Sequence, residues 1–75
     1  MTIAFATELA ARFQRGFNFR GMREAPLRLV RRPDTYNPDW LFEIETEPAA
    51  DRTRIYVSES RRRVWAPGWD AGTSF

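Results

Sequence analysis

Hydrophobic positions recur along the first seventeen residues with the spacing of a helix. At about 100° per residue, Ile3, Phe5, Ala6, Leu9, Ala10, Phe13 and Phe17 fall in one arc of about 160°. Thr7, Glu8, Ala11, Arg12, Gln14 and Arg15 fill the opposite side. Thr2 can cap the first turn through its hydroxyl, and Gly16 supplies a stop. The pattern predicts an amphipathic helix over residues 3–15. A competing pattern makes 2–6 a strand, with Thr7 capping a shorter helix.

Beyond a Gly- and Pro-containing transition at 16–26, read as loop or short edge strand, the period changes from helical to alternating. Residues 27–31 and 53–57 read as strands. Residues 40–47 form the clearest one, with Trp40, Phe42 and Ile44 on one side and Leu41 and the glutamates on the other. Residues 62–65 make a fourth candidate. Asn37 and Pro38 mark a turn within 34–39, and 48–52 and 58–61 supply the remaining links. Short strands with short connections favour an antiparallel meander.

Matching like faces sets a register, with Leu27 opposite Ile44, Leu29 opposite Phe42, Ile44 opposite Ile55 and Phe42 opposite Val57. The phenylalanine arc of the helix is the natural cover for that apolar face. The predicted fold is α+β, one N-terminal helix on a three- or four-stranded antiparallel meander. One domain would span 1–65, followed by a tail at 66–75 that docks or frays.

The same register predicts the sheet's other face. Arg28, Val30 and Arg32 stand beside Leu41, Glu43 and Glu45, followed by Arg54 and Tyr56 and then by Arg63 and Trp65. Cross-strand ion pairing explains the charges alone. The interleaved Val30, Leu41, Tyr56 and Trp65 resemble interface composition, where Tyr, Trp and Arg are enriched. Val30, Leu41, Arg54, Tyr56, Arg63 and Trp65, with Trp69 of the tail, are therefore the predicted protein-binding residues.

Composition narrows the chemistry. The chain has no His and no Cys, which removes the commonest general base, the thiol nucleophile and the usual metal ligands. Glu43 and Glu45 share a face about 6–7 Å apart by strand rise, but a flat sheet offers no cleft around them. Asp34, Asn37 and Asp39 lack the spacing of a calcium loop and read as turn residues. The expectation is a non-enzymatic chain with no cofactor, no metal and no small-molecule substrate.

The twelve basic residues are all arginine, and their excess over ten acids leaves only +2. Bulk charge is thus too weak to steer a polyanion, and a nucleic-acid role would rest on Arg31, Arg32, Arg61, Arg62 and Arg63. Residues 15–19, Arg-Gly-Phe-Asn-Phe, resemble in part the RNP1 signature of RNA-recognition motifs. Asn18 and Arg20 depart from it, and fifteen residues cannot hold the strand, helix and strand that precede that motif in its fold.

No apolar stretch approaches the roughly 20 residues that a bilayer needs, and the N-terminus lacks the features of a signal peptide, so the expected location is cytoplasmic. So small a domain has a marginal core, which favours a partner or a homodimer. The reading is a small accessory, immunity or inhibitor protein, the size class of phage-encoded inhibitors such as anti-CRISPRs, with arginine-mediated nucleic-acid binding as the alternative.

Overall fold

A computed structural model describes residues 1–16, 24–45, 53–67 and 72–75. One helix, α1 (Ile3–Gly16), precedes five strands: β1 (Leu27–Arg31), β2 (Trp40–Ile44), β3 (Arg54–Ser58), β4 (Arg63–Trp65) and β5 (Thr73–Ser74). They form one antiparallel sheet in the order β1-β2-β3-β4-β5, each strand beside its chain neighbour. This is the α+β meander the sequence predicts, with a short fifth strand from the tail. The alternative strand over 2–6 does not form. The Phe5 amide instead donates to Thr2 Oγ1 at 3.1 Å, the hydrogen bond of an N-terminal cap.

The helix leans on β3 and β4. Ala6, Leu9, Ala10 and Phe13 enter a core with Trp40, Phe42, Ile44, Ile55, Val57, Val64 and Ala66, against which Leu27 and Leu29 are partly buried. The two alanines allow close approach, while Leu9 and Phe13 fill the space between layers. Only this narrow stripe is covered. Ile3 and Phe5, assigned to the buried arc by periodicity, are exposed. Phe5 is met instead by the edge of the Phe75 ring at 6.2 Å. Gln14, assigned to the polar side, is buried, and its amide donates to the Ala25 carbonyl at 2.8 Å. Phe17 lies outside the described residues.

Two details of register differ from expectation. Leu27 and Leu29 do oppose Ile44 and Phe42. Phe42 faces Ile55 and Trp40 faces Val57, however, two residues from the predicted pairing of β2 with β3. A slip of two keeps every side chain on its face, so alternation alone cannot select between them. The observed register places Glu43 opposite Arg54. In β1 a bulge follows Leu29, so that Arg31 rather than Val30 opposes Leu41. Val30 is left exposed without a cross-strand partner, and Arg32 falls beyond the strand.

Between β1 and β2, one Asp34 carboxylate oxygen accepts the amides of Tyr36 (2.8 Å) and Asn37 (2.7 Å). Those bonds favour the ionised form and hold the Asp34 pKa below the ordinary aspartate value, Asn37 first and Tyr36 second. With the folded value depressed, the turn's contribution is present above the unfolded pKa and is lost as pH falls through the folded one. The Tyr36 and Asn37 amide resonances are accordingly expected to titrate together, with a midpoint below that of a free aspartate. Asp34→Asn should flatten that titration.

Between β3 and β4, the Arg62 amide donates to Glu59 O at 3.2 Å, and the Arg61 amide to Ser58 Oγ at 3.3 Å. Arg62 closes this turn at φ 53°, in the left-handed region, so β4 starts at Arg63 rather than at 62. Among the described residues no helix is long and apolar enough to cross a membrane.

Candidate protein-binding face

Three rows of side chains cross the face opposite the helix. The middle row is set by the pairings Arg31 with Leu41, Leu41 with Tyr56, and Tyr56 with Trp65. The Tyr56 and Trp65 rings stack with centroids 4.3 Å apart and planes 11° apart. Directly opposed residues on antiparallel strands are close enough for such a stack, which fixes both rings upright on the sheet. Gly72 lies on the far side of Trp65. A Cβ there would come within 3.1 Å of the Trp65 Cβ and 2.7 Å of the Val64 carbonyl oxygen.

The second row is ionic. Glu43 accepts from Arg28 on one side and has Arg54 Nε at 3.7 Å on the other. Arg28 Nε also lies 3.8 Å from Glu45. The burial within this network is uneven. The Glu43 side chain is 12% exposed, against 48% for Arg28 and 58% for Arg54. The Arg28 and Arg54 guanidiniums thus meet solvent with the Glu43 carboxylate underneath, while Glu45 at the row's end is itself exposed. The third row is Ser58, Arg63 and Ser74, with Ser58 fully buried.

The predicted binding residues are distributed unevenly over this surface. Tyr56, Arg54, Trp65 and Arg63 share it, the two rings half-buried. Leu41 is on it but only 5% exposed, so it supports the rings rather than offering contact area. Val30 stands outside the rows, at the bulge. Trp69 lies outside the described residues. Of the arginines proposed for nucleic acid, Arg31 ends the middle row and Arg63 belongs to the third. Arg61 and Arg62 sit in the β3–β4 turn, and Arg62 is engaged with Phe75: its Nε donates to the Phe75 main-chain oxygen at 2.9 Å and its guanidinium lies 5.4 Å from the ring centroid.

Sequence reasoning missed Arg31 as a member of the row that holds the aromatic pair, because a one-residue bulge in a short strand has no compositional mark. It also missed Gly72, whose requirement appears only once β5 is placed. Arg31 Nε and Trp65 Nε1 are both buried without an acceptor among the described residues. A buried donor left unpaired costs about 1–3 kcal/mol, and these two stand at the two ends of the middle row.

Glu43 is bracketed by two arginines, and Glu45, just past the end of β2, is exposed. Among the described residues no three His, Cys, Asp or Glu side chains group as metal ligands would. The fold and face thus define a helix-backed antiparallel meander carrying an aromatic and arginine surface on its open side. No protein family, curated protein or solved structure matches the chain.

Proposed function

We propose that this chain is a non-enzymatic protein-binding module of the accessory, immunity or inhibitor kind, and that its partner presents an acidic surface to the open face of the sheet. The observation that carries this reading is the burial pattern around the Tyr56/Trp65 stack. Two stacked rings stand on the same face as Arg54, whose partner Glu43 is mostly covered, and as Arg63. Rigid aromatics flanked by guanidinium groups are what interface anchors are made of. The two buried donors gain acceptors if the side chains turn outward on contact.

The test measures affinity for the partner recovered from nuclease-treated host lysate, and then for the purified pair. Tyr56→Ala combined with Trp65→Ala should weaken binding at least about 30-fold, the equivalent of 2 kcal/mol. Thermal melting of the variant should remain cooperative. A partner that binds the double variant as tightly as wild type removes this face from the reading. If the partner is a second copy, sedimentation shows a dimer that the same substitutions dissociate.

Nucleic-acid binding through Arg31, Arg32, Arg61, Arg62 and Arg63 is the second reading. Arg31 on β1 and Arg63 on β4 share the open face, but they are three strands apart, about 14 Å at strand spacing. A mixed oligonucleotide bound at low salt and released steeply as salt rises would establish that reading instead.

A further inference from the structure

The strand that closes the sheet is held at its ends more than along its length. β5 pairs with β4 at two positions, Val64 with Thr73 and Arg63 with Ser74, and both of its residues are exposed. Beyond them Phe75 and Arg62 grip each other. The Phe75 amide donates to the Arg62 carbonyl at 2.9 Å, and Arg62 Nε donates back to the Phe75 main-chain oxygen. Arg62 is also the one non-glycine residue at positive φ among the described residues, and its bonds to Phe75 offset the cost of that backbone. Thr73 opposes the buried Val64, so alternation puts Thr73 and Phe75 on the helix side. There the Phe75 ring meets the edge of Phe5 and lines, with Leu9, Phe13 and Val64, a groove of about 460 Å³.

We infer that residues 72–75 are a releasable strap over a strand-docking site on β4, and that the site takes an extended segment of a partner protein built like the strap itself: glycine, two small hydroxyl residues, then an aromatic. Released, the strap leaves the Arg62 carbonyl and the Val64 backbone without partners along the β4 edge, and it uncovers the groove beside Leu9 and Phe13. An added strand remakes the same main-chain bonds, which supply affinity, while its alternate side chains supply specificity. The strap shows what fits. A Cβ at the Gly72 position comes within 2.7 Å of the Val64 carbonyl oxygen, so that position requires glycine. Three residues on, an aromatic ring has Phe5 to pack against and the Arg62 guanidinium 5.4 Å from its centroid.

Two measurements on the full chain test this. In wild-type hydrogen exchange, the Phe75 amide should be protected, yet at least about tenfold less than the amides that join β2 to β3, because the strap opens without global unfolding. The second measurement titrates the peptide Gly-Thr-Ser-Phe, acetylated and amidated, into Phe75→Ala, whose own strap has lost its ring. Amide shifts should saturate with a Kd on the order of 1 mM and fall on β4 and on α1 around Leu9 and Phe13. Wild type should bind the peptide at least about tenfold more weakly, since the strap competes. Replacing the peptide's glycine or its phenylalanine by alanine should abolish binding. Equal protection of Phe75 and the β2–β3 amides in the wild type would overturn the inference without relying on any variant. So would shifts confined to other surfaces, no saturation by about 10 mM, or equal affinity of wild type and variant. A wild-type dimer that Phe75→Ala dissociates, with no peptide bound by the variant, would overturn it in favour of strap exchange between two copies. Neither measurement involves the open face of the sheet, so the outcome is independent of the function proposed for that face.

Discussion

Phe13→Ala is expected to bring the fold to the edge of stability at 25 °C, with at most about 2 kcal/mol left. Phe13 is 3% exposed and joins the helix to the buried side chains of the sheet. Deleting a buried phenyl ring costs about 3–5 kcal/mol, through lost burial and the cavity left behind. The whole reserve of a small domain lies near the bottom of the usual range, about 5 kcal/mol. Near-ultraviolet circular dichroism should show a weakened tryptophan signal, and urea unfolding should begin at the lowest concentrations with little or no native baseline. Phe5→Ala is the matched control. It removes the same group from an exposed position on the same helix, so it should cost less than about 1 kcal/mol. If both variants melt alike, the buried stripe has been assigned to the wrong side of α1.

Gly72→Ala should produce the second large effect. Gly72 sits at φ 61°, where a side chain costs about 1–2 kcal/mol. The added methyl would also lie 2.7 Å from the Val64 carbonyl, a backbone atom fixed in the β4 strand, so the total loss should be about 2–4 kcal/mol. The melting temperature should drop by at least about 8 °C, with amide exchange accelerating first in β4 and β5. Gly16→Ala makes the contrast within one protein. Gly16 has open space around its would-be Cβ and no positive φ, so alanine there should be neutral or stabilising by up to about 1 kcal/mol. Equal losses at the two positions would show that the close approach at Gly72 is not what holds β5.

The sequence made the layers legible because both periods are clean. The 3.6-residue spacing finds α1, and the alternation of Trp40, Phe42 and Ile44 with Leu41 and Glu43 finds the two faces of β2. What alternation cannot express is a shift by two, and that is the difference between the expected and observed pairing of β2 with β3. Periodicity also cannot say how much of an apolar arc will be covered. Phe5 belongs to the arc by angle, yet two strands are too narrow to reach it. Gln14 fails in the opposite sense. Its burial depends on the Ala25 carbonyl, a tertiary partner eleven residues away that no local pattern announces.

The outward face was readable as a list of residues and less so as a surface. Pairing Arg with Glu across strands is a composition-level expectation, and the Arg28, Glu43 and Arg54 network follows it. Which member of that network is covered is a matter of side-chain length and strand position: Glu43 is central, with a longer arginine over each side. The Tyr56/Trp65 stack depends on one register pairing, and Arg31 reaches the row only through the bulge.

The order of strands in the sheet also governs how the molecule assembles. Every strand hydrogen-bonds to the one before it, so the sheet grows by short loop closures as successive hairpins zip together. The helix does not share that economy. It comes first in the chain but rests on β3 and β4, beginning roughly forty residues downstream, and a helix of this length is marginal in water by itself. Leu9 and Phe13 therefore have no cover until the third and fourth strands exist. The docking of α1 on β3 and β4 is what turns a two-sided sheet into a domain with one wet face.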